Sequence, residues 1–557
     1  MSELALAQSA GDYLAGRQAQ YLNDFDAVGR YYNQAYRRDP SNELLLERTL
    51  IGFINRGDFD QAVDLTSKIS PRVPENQIAR LSVVTGLIEQ GEFAKAEAEI
   101  DAGRGVGSLI DGLIAAWLKI ETASAGEGFK AFDALLEMPS NTAFASYHAG
   151  LAYAMVGDFE KAKALLTTEQ VQPFVRTRRG SMVLAQIYSQ LGDNPGAVAY
   201  FQQAYSGNLD EDQRAIVQRL VSGETLDFDA VLGVKDGVAE VYFSVASALE
   251  SDSDPDYTLI FARAASFLRT DFVDALLLTA GLLERLEAFK LATKAYDEVP
   301  RSHAAYHAAE IGRAQALYNA GDQETAIEVL RQLTESHGEV SEVHRVLGDL
   351  LRRMDRFEDS TKAYSNALER STETDPGLWF IHYARGITYE RTDKWPLAEA
   401  DFRRALELNP GQPNVLNYLG YSMLEKGLNL EEALLLIEEA VAARPNSGFI
   451  VDSLGWALFE LGRFDEAIVH MERAAELTPI DPVINDHLGD SLWMVGRLTE
   501  ARFHWMRALS LDPAEEDAER IRLKLEIGLT AVREAEANPI VKVAEETDGA
   551  AAPEDDG

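Results

Sequence analysis

Cysteine is absent from this chain. Its absence excludes disulfides, thiolate catalysis, Cys-ligated zinc and iron–sulfur clusters. A thiol-free chain also suits an oxidising compartment, where stray thiols mispair. Cations are scarce as well: Lys plus Arg number 52 against 91 Asp plus Glu, a formal net charge of −39. Nucleic-acid affinity comes from cations set against phosphates, so this balance argues against a nucleic-acid binder. It favours basic or neutral partners instead. Arg176, Arg178 and Arg179 form the local exception, and read as a solvated turn rather than a phosphate site. No apolar run reaches the roughly 18 residues of a membrane-spanning helix.

Motifs that carry chemistry are missing too. There is no P-loop, no H-E-x-x-H, no G-x-S-x-G and no EF-hand loop. Gly103-Arg104-Gly105-Val106-Gly107 lacks the spacing of a dinucleotide fingerprint and follows no strand pattern, so it reads as a loop. Of the nine histidines, His303 and His307 stand four apart, which on one helical face would supply half a zinc site. No third or fourth ligand is evident, and neither a metal nor a cofactor is expected. The carboxylates are too many for any one pair to be singled out as acid and base. Charge on the outer faces of helices is their ordinary explanation.

What the chain does have is a repeat. Hydrophobic residues at 46% and charged residues at 26% are ordinary for a folded protein. At about 150 residues per domain, 557 residues would mean three or four globular domains. An array escapes that rule by adding units to one continuous core. Prolines recur at Pro410, Pro445, Pro479 and Pro513, spaced 35, 34 and 34 residues. Glycines keep the same beat at Gly386, Gly420, Gly455 and Gly489. So do Ala398, Ala433, Ala467 and Ala501, and again Ala405, Ala440, Ala474 and Ala508. Each unit reads as two amphipathic helices. Small residues at Gly455, Ala467 and Ala474 let the pair approach, Gly462 ends the first helix and Pro479 ends the unit.

A 34-residue unit of this pattern resembles the tetratricopeptide repeat family, and weaker copies of the beat cover nearly the whole chain. The expected fold is all-α: a right-handed superhelical solenoid of about 13 to 14 helix pairs with a C-terminal capping helix. Residues 9–209 are expected to form one half-solenoid and 237–513 a second. Between them, 210–236 reads as an extra helix and a linker, the best hinge candidate. Residues 514–537 carry Ile521, Leu525 and Leu529 on one face and read as the cap. Residues 538–557, acidic and rich in small side chains, are expected to be disordered.

In this family the first helix of each unit lines an inner groove. Register carries those positions onto Phe380 and Tyr383, then Asn414, Asn417 and Tyr421. They continue as Phe449, Asp452, Trp456 and Phe459, then Asp486, Asp490 and Trp493. Aromatic anchors among carboxylates suit a partner with apolar and basic residues, although several of these rings could equally pack between repeats. The family's carboxylate clamp for acidic C-termini does not match, since Tyr418 and Tyr421, and Ser453 and Trp456, stand at its positions. The run Asn417-Tyr418-Leu419-Gly420-Tyr421, followed by Asp452-Ser453-Leu454-Gly455-Trp456, is similar to long bacterial scaffolds of the cell envelope. That resemblance implies a non-enzymatic adaptor, for instance one presenting substrates to a processing protease. The alternative is a subunit of an envelope machine for polysaccharide export or a pilus. A repeat-fused transferase would need a separate α/β domain, and no stretch is free of the beat. Leu4-Ala5-Leu6-Ala7-Gln8 fits either a helix start or, through Ala5 and Ala7, the end of a shortened secretory signal. The expected location is the periplasm or cell envelope, with the cytoplasm as alternative.

Overall fold

In the computed structural model, residues 3–69, 76–205, 209 and 211–537 are described. The acidic stretch 538–557 lies outside them. Among the described residues there are thirty-two α-helices, one 3-10 turn and no strand. Contacts divide the chain into two units, residues 1–337 and 338–557.

One helix pair shows how the sequence builds the others. Helix Gly448–Glu460 runs to Gly462, whose φ of +75° is left-handed backbone that glycine adopts without penalty. The chain then reverses into Phe464–Leu477, which buries Ala467, Met471 and Ala474, one stripe at helical spacing. Gly455 is required because a side chain there would begin 2.9 Å from Met471. In the next pair, Pro482–Met494 and Leu498–Ser510, a β-carbon at the corresponding Gly489 would fall 2.5 Å from Trp505. Trp505 is fully buried, and covering roughly 200 Å² of ring contributes on the order of 5 kcal/mol. Asp481 caps the following helix by accepting from the Ile484 N–H, and Pro482 occupies the first turn, where no N–H is needed. The C-terminal unit stacks five such pairs between Ser341 and Ser510, followed by a closing helix Glu515–Ile527 and a last helix Leu529–Ala537.

The N-terminal unit has nine pairs but is not a simple stack. After the extra helix Glu211–Val221, the pair Val234–Leu249 and Pro255–Leu268 returns across the earlier repeats. Val234–Leu249 packs on Ser108–Thr122 and Thr142–Met155; Pro255–Leu268 packs on Glu43–Asn55 and Gln77–Glu89. These four are all first helices of their pairs. Tyr242 Oη meets Thr85 Oγ1 at 2.9 Å, His148 Nε2 meets Ser244 Oγ at 3.0 Å, and Asn55 Nδ2 donates to the Asp256 carbonyl at 3.0 Å. Phe59 and Phe267 stack at 4.6 Å. Gly237 lies against the ring of buried Trp117, where a β-carbon would fall 2.3 Å from it.

The segment expected to be a hinge is instead fastened down, and the division of the chain falls at 337/338. Leu226 and Ala230 are buried. The Leu226 N–H donates to Ser189 Oγ at 2.9 Å, Gln186 donates to Asp229 at 2.7 Å and Arg179 donates to the Ala230 carbonyl at 2.8 Å. Arg179 also corrects the reading of its cluster as a solvated turn. It stands in the first turn of helix Arg178–Gln190, and its Nε donates to buried Glu240 at 2.9 Å, with Asp274 at 3.9 Å. A buried carboxylate on the returning helix demands that cation.

Candidate functional site

The first helices of the C-terminal unit set the geometry of its inner face. Pro413–Glu425 and Gly448–Glu460 lie side by side, with the start of Pro482–Met494 beyond them. Between them is an open groove of about 570 Å³. Of the residues expected from register, Asn417, Tyr421, Phe449 and Asp452 line it. Phe449 is 60% exposed, a large aromatic ring turned to solvent at the groove's edge. Helical spacing explains the grouping, since Asn417, Tyr421 and Glu425 recur every four residues along one face.

The groove is acidic. Glu390, Asp393, Glu425 and Asp452 line it, against Arg391 and His487. Glu425 has its pKa raised by burial and then by the charge of Glu390, with Lys426, Tyr421 and His487 acting the other way. Burial, together with the Glu425 and Asp452 charges, pushes the Tyr421 phenol up as well. Tyr418 donates to Glu390 at 3.5 Å, and Lys426 pairs with Glu390 at 3.2 Å. Asp452 accepts from His487 Nδ1 at 3.0 Å. Burial works against the imidazolium, yet Asp452, supported by Asp486 and Asp490, outweighs it and the His487 pKa is raised.

Other expected groove residues lie elsewhere. Trp456 is sandwiched, its ring stacked on Phe459 at 4.8 Å and on His487 at 4.0 Å. Phe459 is buried in the core, with Arg533 over its ring at 5.2 Å. Tyr383 packs against Phe402 and Tyr418, and Phe380 against Tyr383 and Trp379. Asp486, Asp490 and Trp493 are not an open surface, because the closing helices cover them. Lys524 Nζ sits 2.7 Å from Asp486 and 2.8 Å from Asp490, with neither Lys524 nor Asp490 exposed to solvent. Trp493 Nε1 donates to Thr530 at 3.1 Å and its ring lies over Gly528. Four of the register positions thus meet at one groove, while register could not say where the chain covers that face with its own helices. Glu390, Glu425 and His487 were not singled out; for Glu425 the signal was its place four residues beyond Tyr421.

His303 and His307 do not share a helical face. The helix begins at Tyr306, and His303 Nδ1 accepts from the Ala305 N–H in the preceding turn. Among the described residues no group of three or more His, Asp or Glu is arranged to hold a metal ion. No helix among them is long and apolar enough to cross a membrane.

Comparison with known proteins bears on the whole arrangement. Residues 311–376 and 383–448 match a tetratricopeptide repeat family model, and two further models of tetratricopeptide repeats match 452–481 and 181–206. Over 156 residues, 28% of this chain, the sequence is 25% identical to the TPR repeat-containing protein PA4667 of Pseudomonas aeruginosa, and the match spans 26% of that protein. Among solved structures, a tetratricopeptide repeat protein from Parabacteroides merdae is 15% identical, covering 46% of this chain and 98% of that one with a TM-score of 0.39. The Cut9–Hcn1 hetero-tetramer of the APC/C is 13% identical over 94% of this chain and 96% of that one, with a TM-score of 0.40. The 34-residue beat, the glycine-to-second-helix packing and the four matched segments converge: the chain carries tetratricopeptide repeats, matched over residues 181–206, 311–376, 383–448 and 452–481.

Proposed function

We propose that this chain is a non-enzymatic adaptor that binds a protein or peptide partner in the inner groove of its C-terminal unit. One observation carries the reading. In the N-terminal unit the first helices are occupied by the returning pair Val234–Leu249 and Pro255–Leu268, whereas between Glu390 and His487 they face an open groove. A groove edged by exposed Phe449 and lined by Tyr418, Tyr421 and carboxylates suits a partner with apolar and basic residues. Recruitment of one protein to another, such as a substrate to a processing protease in the cell envelope, is the role we assign to such a surface.

Affinity capture on the full chain, read by mass spectrometry, tests this with wild type and Phe449→Ala side by side. Phe449 is largely exposed, so its truncation leaves the repeat packing in place. A partner retained by wild type and depleted about tenfold or more on Phe449→Ala supports the groove, since a hot-spot aromatic contributes about 2 kcal/mol. Equal recovery on both proteins sinks it. The captured set also distinguishes the adaptor role from the machine role, because a protease with its substrate and a set of export or pilus components are different catches.

A further inference from the structure

Three consecutive first helices of the C-terminal unit carry an acceptor at one repeat position, three residues before the glycine that packs on the second helix. These are Asn417 before Gly420, Asp452 before Gly455 and Asp486 before Gly489. The next element along supplies a cation to two of them. Asp486 receives the ammonium of Lys524 from the closing helix, and Asp452 receives Nδ1 of His487 from the next first helix. At Asn417 the series breaks. The residue corresponding to His487 is Ser453, and its hydroxyl donates back to the Phe449 carbonyl at 3.0 Å. Asn417 Oδ1 is shielded from solvent and has no hydrogen-bond partner among the described residues.

The gap left by that missing cation is the open groove. Glu425 and Asp452 border it, with Glu390 and Asp393 on the far side; of the cations in its lining, His487 is engaged by Asp452. The other, Arg391, lies over the Phe357 ring at 5.2 Å, and Lys426 is engaged by Glu390. Burial and the neighbouring Glu390 charge hold the Glu425 carboxyl above its ordinary range, a repulsion that an added cation would relieve. Tyr418, Tyr421 and Phe449 offer aromatic faces beside these carboxylates.

We propose that the groove at Asn417 is a seat for one lysine or arginine side chain presented by the partner, held as the chain holds its own Lys524 at Asp486, two repeat pairs further on. The seat rests on the reading of this groove as the docking surface. An amine or guanidinium there would donate to Asn417 Oδ1 and face Glu425 and Asp452, while the apolar stem lies along Tyr421 and Phe449. The ligand class is thus a basic side chain next to an apolar residue.

The test is a selection of displayed random twelve-residue peptides on the full wild-type chain, followed by affinity measurements. Enriched peptides are expected to share lysine or arginine at a fixed distance from an apolar residue. Replacing that basic residue by glutamine should weaken binding about tenfold or more. Asn417→Leu and Glu425→Gln should each erase most of the lysine-over-glutamine preference, with unchanged circular dichroism; Glu425→Gln serves alone if Asn417→Leu does not fold. Peptides that bind equally with glutamine, or whose preference survives Glu425→Gln, overturn the seat, as does a selection that enriches nothing. If such charge-indifferent peptides still lose binding on Phe449→Ala, the groove stands and only the seat falls. If Phe449→Ala leaves them unaffected, the groove reading falls too.

Discussion

Lys524 is the side chain on which the C-terminal end turns. An ammonium without solvent is costly unless paired, and here two carboxylates flank it, one of them also fully buried. Burial holds the Asp490 carboxyl up at about 6 even with Lys524 pulling it down. Lys524→Met takes away the nearer counter-charge of Asp490 and leaves only Arg520 at 3.8 Å, at a cost of up to about 3–5 kcal/mol. Hydrogen exchange should show early opening confined to 482–537, and adding Asp490→Asn should recover part of the loss. His487 sets a pH dependence of its own. Its folded pKa lies above its unfolded value, so its contribution is fully present below about pH 6.5 and is lost as pH rises through the raised value. The repeats from Gly448 to Ser510 should therefore resist urea better at pH 6 than at pH 8, and Asp452→Asn should shrink that difference. A larger stability at pH 8 that vanishes with Asp452→Asn would reverse the assignment.

At the scale of the helix pair, the turn between first and second helices repeatedly demands left-handed backbone. Gly462 and Gly496 supply it without penalty, but Glu287 holds the same conformation at φ +57°. A side chain in that region costs roughly 1 kcal/mol. Glu287→Gly should raise the urea midpoint of the N-terminal unit, by up to about 1 kcal/mol of stability; no change would mean that the gain in unfolded-chain entropy cancels it. The opposite change is instructive at Gly237. Its place against Trp117 leaves no room for a β-carbon, so Gly237→Leu must push the returning helix Val234–Leu249 off its seat. The expected loss is about 1–3 kcal/mol or more, read as faster exchange in 234–268 together with 108–155.

Over the whole chain, the two units obey different rules. Stability in a repeat array is a sum of nearest-neighbour terms, and the C-terminal unit follows that scheme from Ser341 to its closing helices. Residues 338–537 produced alone should therefore be helical and melt as a folded unit. The N-terminal unit does not follow it, because Thr85 meets Tyr242 and Asn55 meets Asp256 across 157 and 201 positions. A chain ending after Gly233 would leave Trp117, Phe59 and the first helices around them uncovered. It should bind a hydrophobic dye and aggregate, whereas adding back residues through Leu268 should suppress both. A well-behaved protein ending at Gly233 would show that the returning pair is an accessory, not part of the core.

The residues by themselves determined what is local. Helix pairing, the turn glycines and the small-to-large contacts such as Gly455 on Met471 depend on neighbours within one 34-residue unit, so periodicity and side-chain size were enough to read them. Helical spacing likewise places Asn417 and Tyr421 on one side of a first helix, but that this side is the inner one was only what the likeness to the repeat family implied. Only the tertiary structure decided which parts of that face are free. Val234–Leu249 and Pro255–Leu268 carry the same amphipathic pattern as any other pair, and nothing in it states that they return to Trp117 and Thr85 rather than stack on the preceding repeat. Lys524 likewise reads as one charge among many on a polar helix until the fold sets it between Asp486 and Asp490. Such pairings join residues separated by tens to hundreds of positions. They are set by which surfaces lose water together in three dimensions, a quantity that no local spacing encodes.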